Sequence, residues 1–426
     1  HFNYFNYRIK ICIALMNLQL KKYQISNIKS EIVITGSKSE TNRLVLLQAL
    51  YPNLELENIS NSDDSEVMLK ALQSNLLEID VHHAGTAMRF LTAYFAVQEG
   101  KEVVLTGSSR MKERPIQLLV EALNQLGAEI SYEENEGFPP IKIKGKKITK
   151  NKVSLPANVS SQYISALLLI APKLENGLEL TLEGEITSIP YIKMTLALLN
   201  EIGVTTSFEE NTIIVTSSGV EMPTKKITVE SDWSSASYWY SIIALSEIGA
   251  SVTLSSFKQN SLQGDSVLAE IYDDFGVETI FNENNSITIT KKESYSIEYA
   301  EYNLQNSPDI AQTIAVTCFG LGFECHLAGL HTLKIKETDR LEALKTELIK
   351  LGAEVIITNE SLTILSSKKI NENISIATYQ DHRMAMAFAP LALKVPIFIQ
   401  NADVVSKSYP SFWEDLKKVG FEWKKI

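Results

Sequence analysis

The chain has 426 residues, with 40 Lys and Arg against 51 Asp and Glu, giving a formal net charge of −11. Hydrophobic residues make up 45% and charged residues 21%, a globular composition that excludes a disordered tail, a collagen-like fibre and a coiled coil. The acidic balance argues against a dedicated nucleic-acid binder and, taken alone, against anionic substrates.

At roughly 100–200 residues per domain the length predicts two or three domains, each with its own core. The first Met is Met16, and the preceding segment has an apolar patch (Ile9, Ile11, Cys12, Ile13, Ala14, Leu15) but neither an h-region nor a small-residue cleavage site. It reads as upstream sequence, with Met16 the expected start. Three cysteines, Cys12, Cys318 and Cys325, supply neither a disulfide framework nor a CxxC pair, so a reducing, cytoplasmic setting is expected. Apolar runs such as Ala166 to Ala171 fall far short of the roughly 18 residues of a membrane helix.

From the N-terminus, a strand at Ile32–Ile34 leads into a helix running to about Leu50, and a second helix covers about Asp64–Gln73. Helices are expected to open at Ser39, Thr86, Ser160, Ser234, Asp309, Glu337 and Asp381. Strand-like alternations occupy Ile141–Ile143, Ile213–Val215, Ile287–Ile289 and Leu362–Leu365. A helical pattern ending in apolar-Gly-apolar recurs at Gly127, Gly203, Gly276, Gly352 and Gly420, spaced 76, 73, 76 and 68 residues apart. A glycine just past a helix end takes the left-handed conformation without a Cβ penalty. With the Asp64–Gln73 helix as a first copy lacking its glycine, the chain divides into six small α/β units of about 70 residues, too long for a solenoid repeat. Grouped three and three, they give two domains of similar size meeting near residue 231; coincidental spacing of helix caps is the alternative.

Gly36-Ser37-Lys38-Ser39-Glu40-Thr41-Asn42-Arg43 is not a P-loop, because Ser37 separates Gly36 from Lys38 and Glu31 stands where an upstream glycine is needed. It does put a lysine and a hydroxyl at a helix start, with Arg43 one turn on, where backbone N–H groups attract anions. Ala84-Gly85-Thr86-Ala87-Met88-Arg89 opens another helix through small residues. Arg110 to Pro115 packs three cations, Arg110, Lys112 and Arg114, before Pro115, a good first residue for a helix. Ser160-Ser161-Gln162, Lys336-Glu337-Thr338-Asp339-Arg340 and Asp381-His382-Arg383 each bring polar or charged groups to a helix start. Singly, each reads as a capped helix; together they read as a site for several anionic groups.

These six segments, in this order, closely resemble the 5-enolpyruvylshikimate-3-phosphate synthase family of the shikimate pathway, from about residue 17 to the C-terminus. The resemblance implies an α/β (α+β) fold of two similar domains, each three copies of a βαβαββ unit, with helix N-termini facing the cleft between them. The inserted domain would span 36–230 and the second domain 17–35 plus 231–426, leaving 1–16 outside both. It implies transfer of the enolpyruvyl group of phosphoenolpyruvate to the 5-hydroxyl of shikimate 3-phosphate, with closure of the domains on the substrates, in a family that the herbicide glyphosate inhibits. The two small-molecule substrates are the expected partners of a monomer, without nucleic acid, membrane, metal or organic cofactor.

Carried over by motif, Lys38, Ser39 and Arg43 would hold shikimate 3-phosphate at its hydroxyls and carboxylate. Ser160, Ser161, Gln162 and Ser188 would bind its phosphate and ring, with Tyr191 nearby. Gly85, Arg114, Arg340, Arg383 and Lys407 would clamp phosphoenolpyruvate. Asp309 would orient or deprotonate the 5-hydroxyl with help from Lys336, and Glu337, beside Lys38, would protonate the methylene carbon. His382 is placed to tune Glu337 or to hold a structural hydrogen bond. His83, Thr35, Phe90 and Thr332 depart from the common family pattern. Two rivals share the resemblance: a UDP-N-acetylglucosamine enolpyruvyl transferase, which uses a mobile-loop cysteine, and an inactive homologue that only binds phosphorylated ligands. Cys318 and Cys325 lie in apolar sequence expected to be core, and Lys38, Asp309 and Glu337 are all present, so both rivals are disfavoured.

Overall fold

The computed structural model describes residues 16–22, 29–158, 160–186, 189–217, 224–292, 297, 299–367 and 369–426. The five repeated glycines all have left-handed backbone, with φ of 113° at Gly127, 96° at Gly203, 75° at Gly276, 101° at Gly352 and 100° at Gly420. After each, the next residue donates its N–H five positions back: Ala128 to Leu123, Val204 to Leu199, Val277 to Tyr272, Ala353 to Leu348 and Phe421 to Leu416, at 2.9–3.1 Å. Both residues of every pair are buried. The apolar-Gly-apolar pattern is therefore a helix stop in which the chain reverses and its next apolar side chain folds back onto the last turn.

Each stop feeds a sheet of one repeated design. Glu78–Asp80 runs parallel to Glu102–Thr106, which pairs antiparallel with Ile141–Lys144, and Glu129–Tyr132 lies outermost. Three further sheets copy this order: Lys152–Pro156 with Leu178–Glu183, Thr212–Val215 and Thr206–Glu209; Lys29–Ile32 with Ser251–Leu254, Ile287–Lys291 and Val277–Phe281; and Tyr299–Asn303 with Glu324–Ala328, Leu362–Leu365 and Glu354–Ile357. In the fifth, Ile374–Ile376 and Ile397–Ile399 are completed by the N-terminal strand Leu18–Leu20, with Trp423–Lys425 at the edge. Among the described residues the sixth sheet has two strands, Leu54–Glu57 and Lys225–Thr228, again parallel. Each parallel pair needs a crossover: a helix supplies it within four of the sheets, whereas Lys29–Ile32 and Ser251–Leu254, and Leu54–Glu57 and Lys225–Thr228, are separated by much of the first core. All four alternations noted in the sequence are strands, and the early helix is Asp63–Leu72.

The buried apolar side chains form two cores. One gathers Leu44 to Val229; the other gathers Leu18 to Ile34 with Trp233 to Phe421. The chain passes between them beside itself, where Gly36 bridges Ser231 antiparallel and the Ser37 N–H donates to the Glu230 carbonyl at 2.8 Å. A Cβ at Gly36 would lie 2.0 Å from the Asn58 carbonyl oxygen, so the crossing admits only glycine.

Five helix starts differ from the sequence expectation, three of them because another residue caps the helix. Ser37, Asp232 and Asp339 are the caps, not Ser39, Ser234 and Glu337. In each case an acceptor two residues away closes the first turn better: the Asp339 carboxylate takes the N–H groups of Leu341 and Glu342, both at 3.1 Å. Ser160 and Asp381 do cap their helices. The helix expected at Thr86 begins at Gly85 without a side-chain cap, and a short 3-10 turn at Pro308–Ile310 precedes Ala311–Leu321. Among the described residues no helix is long and apolar enough to cross a membrane.

Candidate active site

The helix Lys38–Leu50 presents Lys38 at its first position, 3.4 Å from the Asp64 carboxylate of the next helix. Burial alone would depress the lysine, but Asp64, Glu337 and Asp309 outweigh it and hold its ammonium above the ordinary range. Two of those carboxylates belong to the other core, so Lys38 sits where the two cores meet. The contact is also direct: the Ser406 hydroxyl donates to Asp63 at 2.8 Å, and Gly264 packs against Pro190.

Arg43, one turn along, is buried and occupied. Its Nε donates to Thr195 at 2.8 Å, Nη1 to the Ser39 carbonyl at 2.7 Å and Nη2 to the Ser165 hydroxyl at 2.9 Å. Its guanidinium lies 5.4 Å from the centre of the Phe90 ring and 5.8 Å from that of Tyr191. Burial lowers it to about 10, so it stays charged at neutral pH. Phe90, one of the departures from the family pattern, is fully buried beneath it.

Gly85 and Arg114 touch. A Cβ on Gly85 would lie 2.5 Å from Arg114 Nη1, so the guanidinium rests on bare backbone at a helix start. Arg89 braces this corner, donating to the Gly85 carbonyl and to the Pro115 carbonyl, each at 3.1 Å. From a neighbouring helix, Gln162 Nε2 donates to the Thr86 hydroxyl at 3.0 Å; Ser160 is exposed and Ser161 partly so at the same helix start. Ser188 lies outside the described residues, as does Cys12.

In the other core, Arg340 is 2% exposed and binds three carboxylates: Nε to Asp381 at 2.6 Å, Nη1 to Asp309 at 2.8 Å and Nη2 to Glu337 at 2.7 Å. Asp309 also lies 3.2 Å from Arg383 and 3.5 Å from Lys336. Burial pushes Asp309 upward, but Arg383, Lys336 and Arg340 prevail and hold it well below the carboxylate range. Glu337 is held low in the same way, chiefly by Arg340. Both are ionised. His382 is the converse: burial, reinforced by Arg383 and Lys38, keeps its imidazole neutral, and neither ring nitrogen has a hydrogen-bond partner among the described residues. Lys407 Nζ donates to the Gln380 carbonyl at 2.7 Å on the exposed rim.

The structure thus brings Lys38, Asp309, Lys336, Glu337, Arg340, His382 and Arg383 into one polar junction, with the Arg43, Gly85–Arg114 and Ser160–Gln162 groups on the side of the first core. Sequence reasoning did not single out Asp265 and treated Asp64 and Ser234 only as helix starts, because these groups reach this machinery only through space. It also treated Asp381 only as a helix start, whereas its carboxylate binds Arg340. Among the described residues no group of three or more His, Cys, Asp or Glu side chains is placed to hold a metal ion. Cys318 and Cys325 are fully buried.

The fold is that of solved enolpyruvyl transferases. It superposes with a TM-score of 0.80 on an EPSP synthase from Acinetobacter baumannii, at 20% identity over 96% of this chain and all of that one. It also superposes at 0.73 on the enolpyruvyl transferase NikO from Streptomyces tendae, at 13% identity over 96% and 98%. Within that class the chain belongs to the EPSP synthase (3-phosphoshikimate 1-carboxyvinyltransferase) family, whose model matches residues 73–416. The 3-phosphoshikimate 1-carboxyvinyltransferase of Bacteroides fragilis strain YCH46 is 47% identical over 402 residues, covering 93% of this chain and 96% of that protein. That of Colwellia psychrerythraea is 36% identical, covering 94% and 99%.

Proposed function

We infer that the protein transfers the enolpyruvyl group of phosphoenolpyruvate to the 5-hydroxyl of shikimate 3-phosphate, releasing phosphate, as the family's name describes. The observation that carries the assignment of steps is the pair of ionised carboxylates, Asp309 and Glu337, set on two nitrogens of one buried arginine and ringed by Lys38, Lys336 and Arg383. The reaction needs two proton-handling groups on one substrate pair and a cationic surround for a departing phosphate.

In this reading Asp309 takes the hydrogen bond, and then the proton, of the 5-hydroxyl as its oxygen bonds to the central carbon of phosphoenolpyruvate. Lys336 steadies the developing negative charge on that oxygen. The methylene carbon gains a proton from Glu337 and becomes a methyl. Glu337 is ionised before the substrates arrive. The incoming carboxylate and phosphate engage Lys38, Arg340 and Arg383 and raise its proton affinity, while Lys38, itself protonated, is the neighbouring proton source. In the second half the carbon–oxygen bond to phosphate breaks, phosphate leaves with the electron pair and takes up the hydroxyl proton held by Asp309, and a methyl proton returns to Glu337 and from it to Lys38.

Gly85, Arg114, Arg340, Arg383 and Lys407 hold phosphoenolpyruvate. Arg340 has five N–H donors and three go to carboxylates, so two remain for an anion. Lys38, Ser39, Arg43, Ser160, Ser161, Gln162 and Ser188, with Tyr191, hold shikimate 3-phosphate, and His382 lies beside Glu337 as a neutral hydrogen-bonding group. We assign residues 36–230 and 17–35 plus 231–426 to two domains that close on the substrates, in a cytoplasmic monomer that needs no cofactor. The steady-state split tests the assignment: Gln162→Ala is expected to raise KM for shikimate 3-phosphate and Arg114→Lys that for phosphoenolpyruvate. The reverse pattern would contradict it.

A further inference from the structure

Arg383 is gripped from two sides. Its Nη2 lies 3.2 Å from the Asp309 carboxylate and donates to the Ser234 hydroxyl at 3.3 Å, and that hydroxyl in turn donates to the Asp265 carboxylate. Asp265 is 8% exposed and stands in the short turn Gly264–Val267, one residue after Gln263 and Gly264 have fixed that turn in place. Gln263 Oε1 accepts the Trp233 N–H at 2.9 Å and its Nε2 donates to the Ser231 carbonyl at 2.9 Å, tying the turn to the first residues of the Ser234 helix. Gly264 meets the other core at Pro190, 3.3 Å from a Cβ built there, and packs against its own side at the Asn306 carbonyl oxygen, 2.5 Å away. A carboxylate this deep is costly unless a cation answers it. Arg383 answers it through the hydroxyl, while Asp309 and Asp232 oppose it; burial with these like charges pushes Asp265 up to about 7. Tyr191 faces the same cluster from the other core.

Held by Asp309 alone, the Arg383 guanidinium would lean onto the group that must accept the substrate's proton. The Ser234 hydroxyl draws the same nitrogen the other way. The buried Nε, which has no partner among the described residues, then remains as a donor. We propose that Asp265 is a positioning residue for the known reaction: through Ser234 it fixes the Arg383 guanidinium in the orientation that receives phosphoenolpyruvate, an assignment that rests on the reading of Arg383 given above.

The test is a set of steady-state measurements on Asp265→Asn, Ser234→Ala, their double variant and Arg383→Lys, with thermal unfolding run alongside. Asp265→Asn and Ser234→Ala are each expected to raise KM for phosphoenolpyruvate about tenfold, with KM for shikimate 3-phosphate within about twofold of wild type and the double variant no worse than either single one. A merely structural role would lower the folded fraction, and with it apparent kcat, but leave KM where it was. Ser234→Ala removes only an oxygen, so it reads the relay even if the Asn variant does not fold. An unchanged phosphoenolpyruvate KM in these variants, or fully additive effects, overturns the role of Asp265 when Arg383→Lys is itself impaired. If Arg383→Lys also binds phosphoenolpyruvate normally, the assignment of Arg383 falls, and the proposal with it.

Discussion

The ammonium of Lys38 lies 3.4 Å from the carboxylate of Asp64, across the junction of two consecutive helices, and Asp64 stands 3.7 Å from the His83 imidazole on its other side. The pair is mostly buried, with the lysine side chain 24% and the aspartate 11% exposed. Asp64 therefore fixes where the lysine points and supports its charge. Asp64→Asn is expected to lower kcat about tenfold, or ~1.4 kcal/mol of barrier, with little change in thermal unfolding; steady-state kinetics checks it.

Gly85→Ala places a methyl where Arg114 now rests, 2.5 Å from Nη1. The obstructed atom is the end of a flexible side chain, so the fold tolerates the change and the guanidinium moves. The expected outcome is a KM for phosphoenolpyruvate raised about tenfold with an unchanged melting temperature. Calorimetry beside the kinetics separates the two effects.

Among the described residues Arg340 alone pairs with all three of Asp309, Glu337 and Asp381, so Arg340→Met leaves three carboxylates around an uncharged side chain. Removing one partner from a buried ionic cluster costs roughly 3–5 kcal/mol, to be read by urea denaturation at pH 7. The pH dependence has a definite sign. Asp309 and Glu337 are depressed in the folded protein, so their stabilising contribution is present above the unfolded carboxylate range and is lost as pH falls through the folded values. The gap between wild type and variant is expected to narrow below about pH 4.

Glu40 has the opposite sign. It is 2% exposed beside Glu230 at the chain crossing, and burial raises it from 4.5 to about 7. The folded state then binds the extra proton between those values. Its stability contribution is complete below the unfolded value and fades as pH climbs toward 7, on the order of 3 kcal/mol. Glu40→Gln is expected to raise the melting temperature at pH 8 and to leave it near wild type at pH 5, with Glu230 and Lys258 facing the same carboxylate and Glu201 beyond them. Thermal scans at the two pH values decide it.

The repeat was readable because its signal is local. A left-handed glycine and a buried apolar residue after it are set by neighbours in the chain, and Gly127 and Gly420 obey one rule though nearly 300 residues apart. The helix starts at Ser39, Ser234 and Glu337 were misread for the same reason, since a better acceptor two residues away competes for the same N–H groups. Ser234 is instructive: released from capping, its hydroxyl joins Arg383 to Asp265. Asp265 and Asp381 reach Arg383 and Arg340 only after folding, and Asp381 is 41 residues from the arginine it binds. No periodicity encodes such a contact. Net charge misled most. The −11 belongs to the whole chain, whereas Lys38, Lys336, Arg340 and Arg383 meet at one junction between the cores.

The most direct measurement is phosphate release by the purified protein given shikimate 3-phosphate and phosphoenolpyruvate together. Wild type is expected to release phosphate only when both are present, while Lys38→Met and Glu337→Ala fall by a factor on the order of 10²–10⁴, the usual range for lost proton-transfer groups. Release that needs only one substrate, or that proceeds equally in wild type and both variants, would contradict the account.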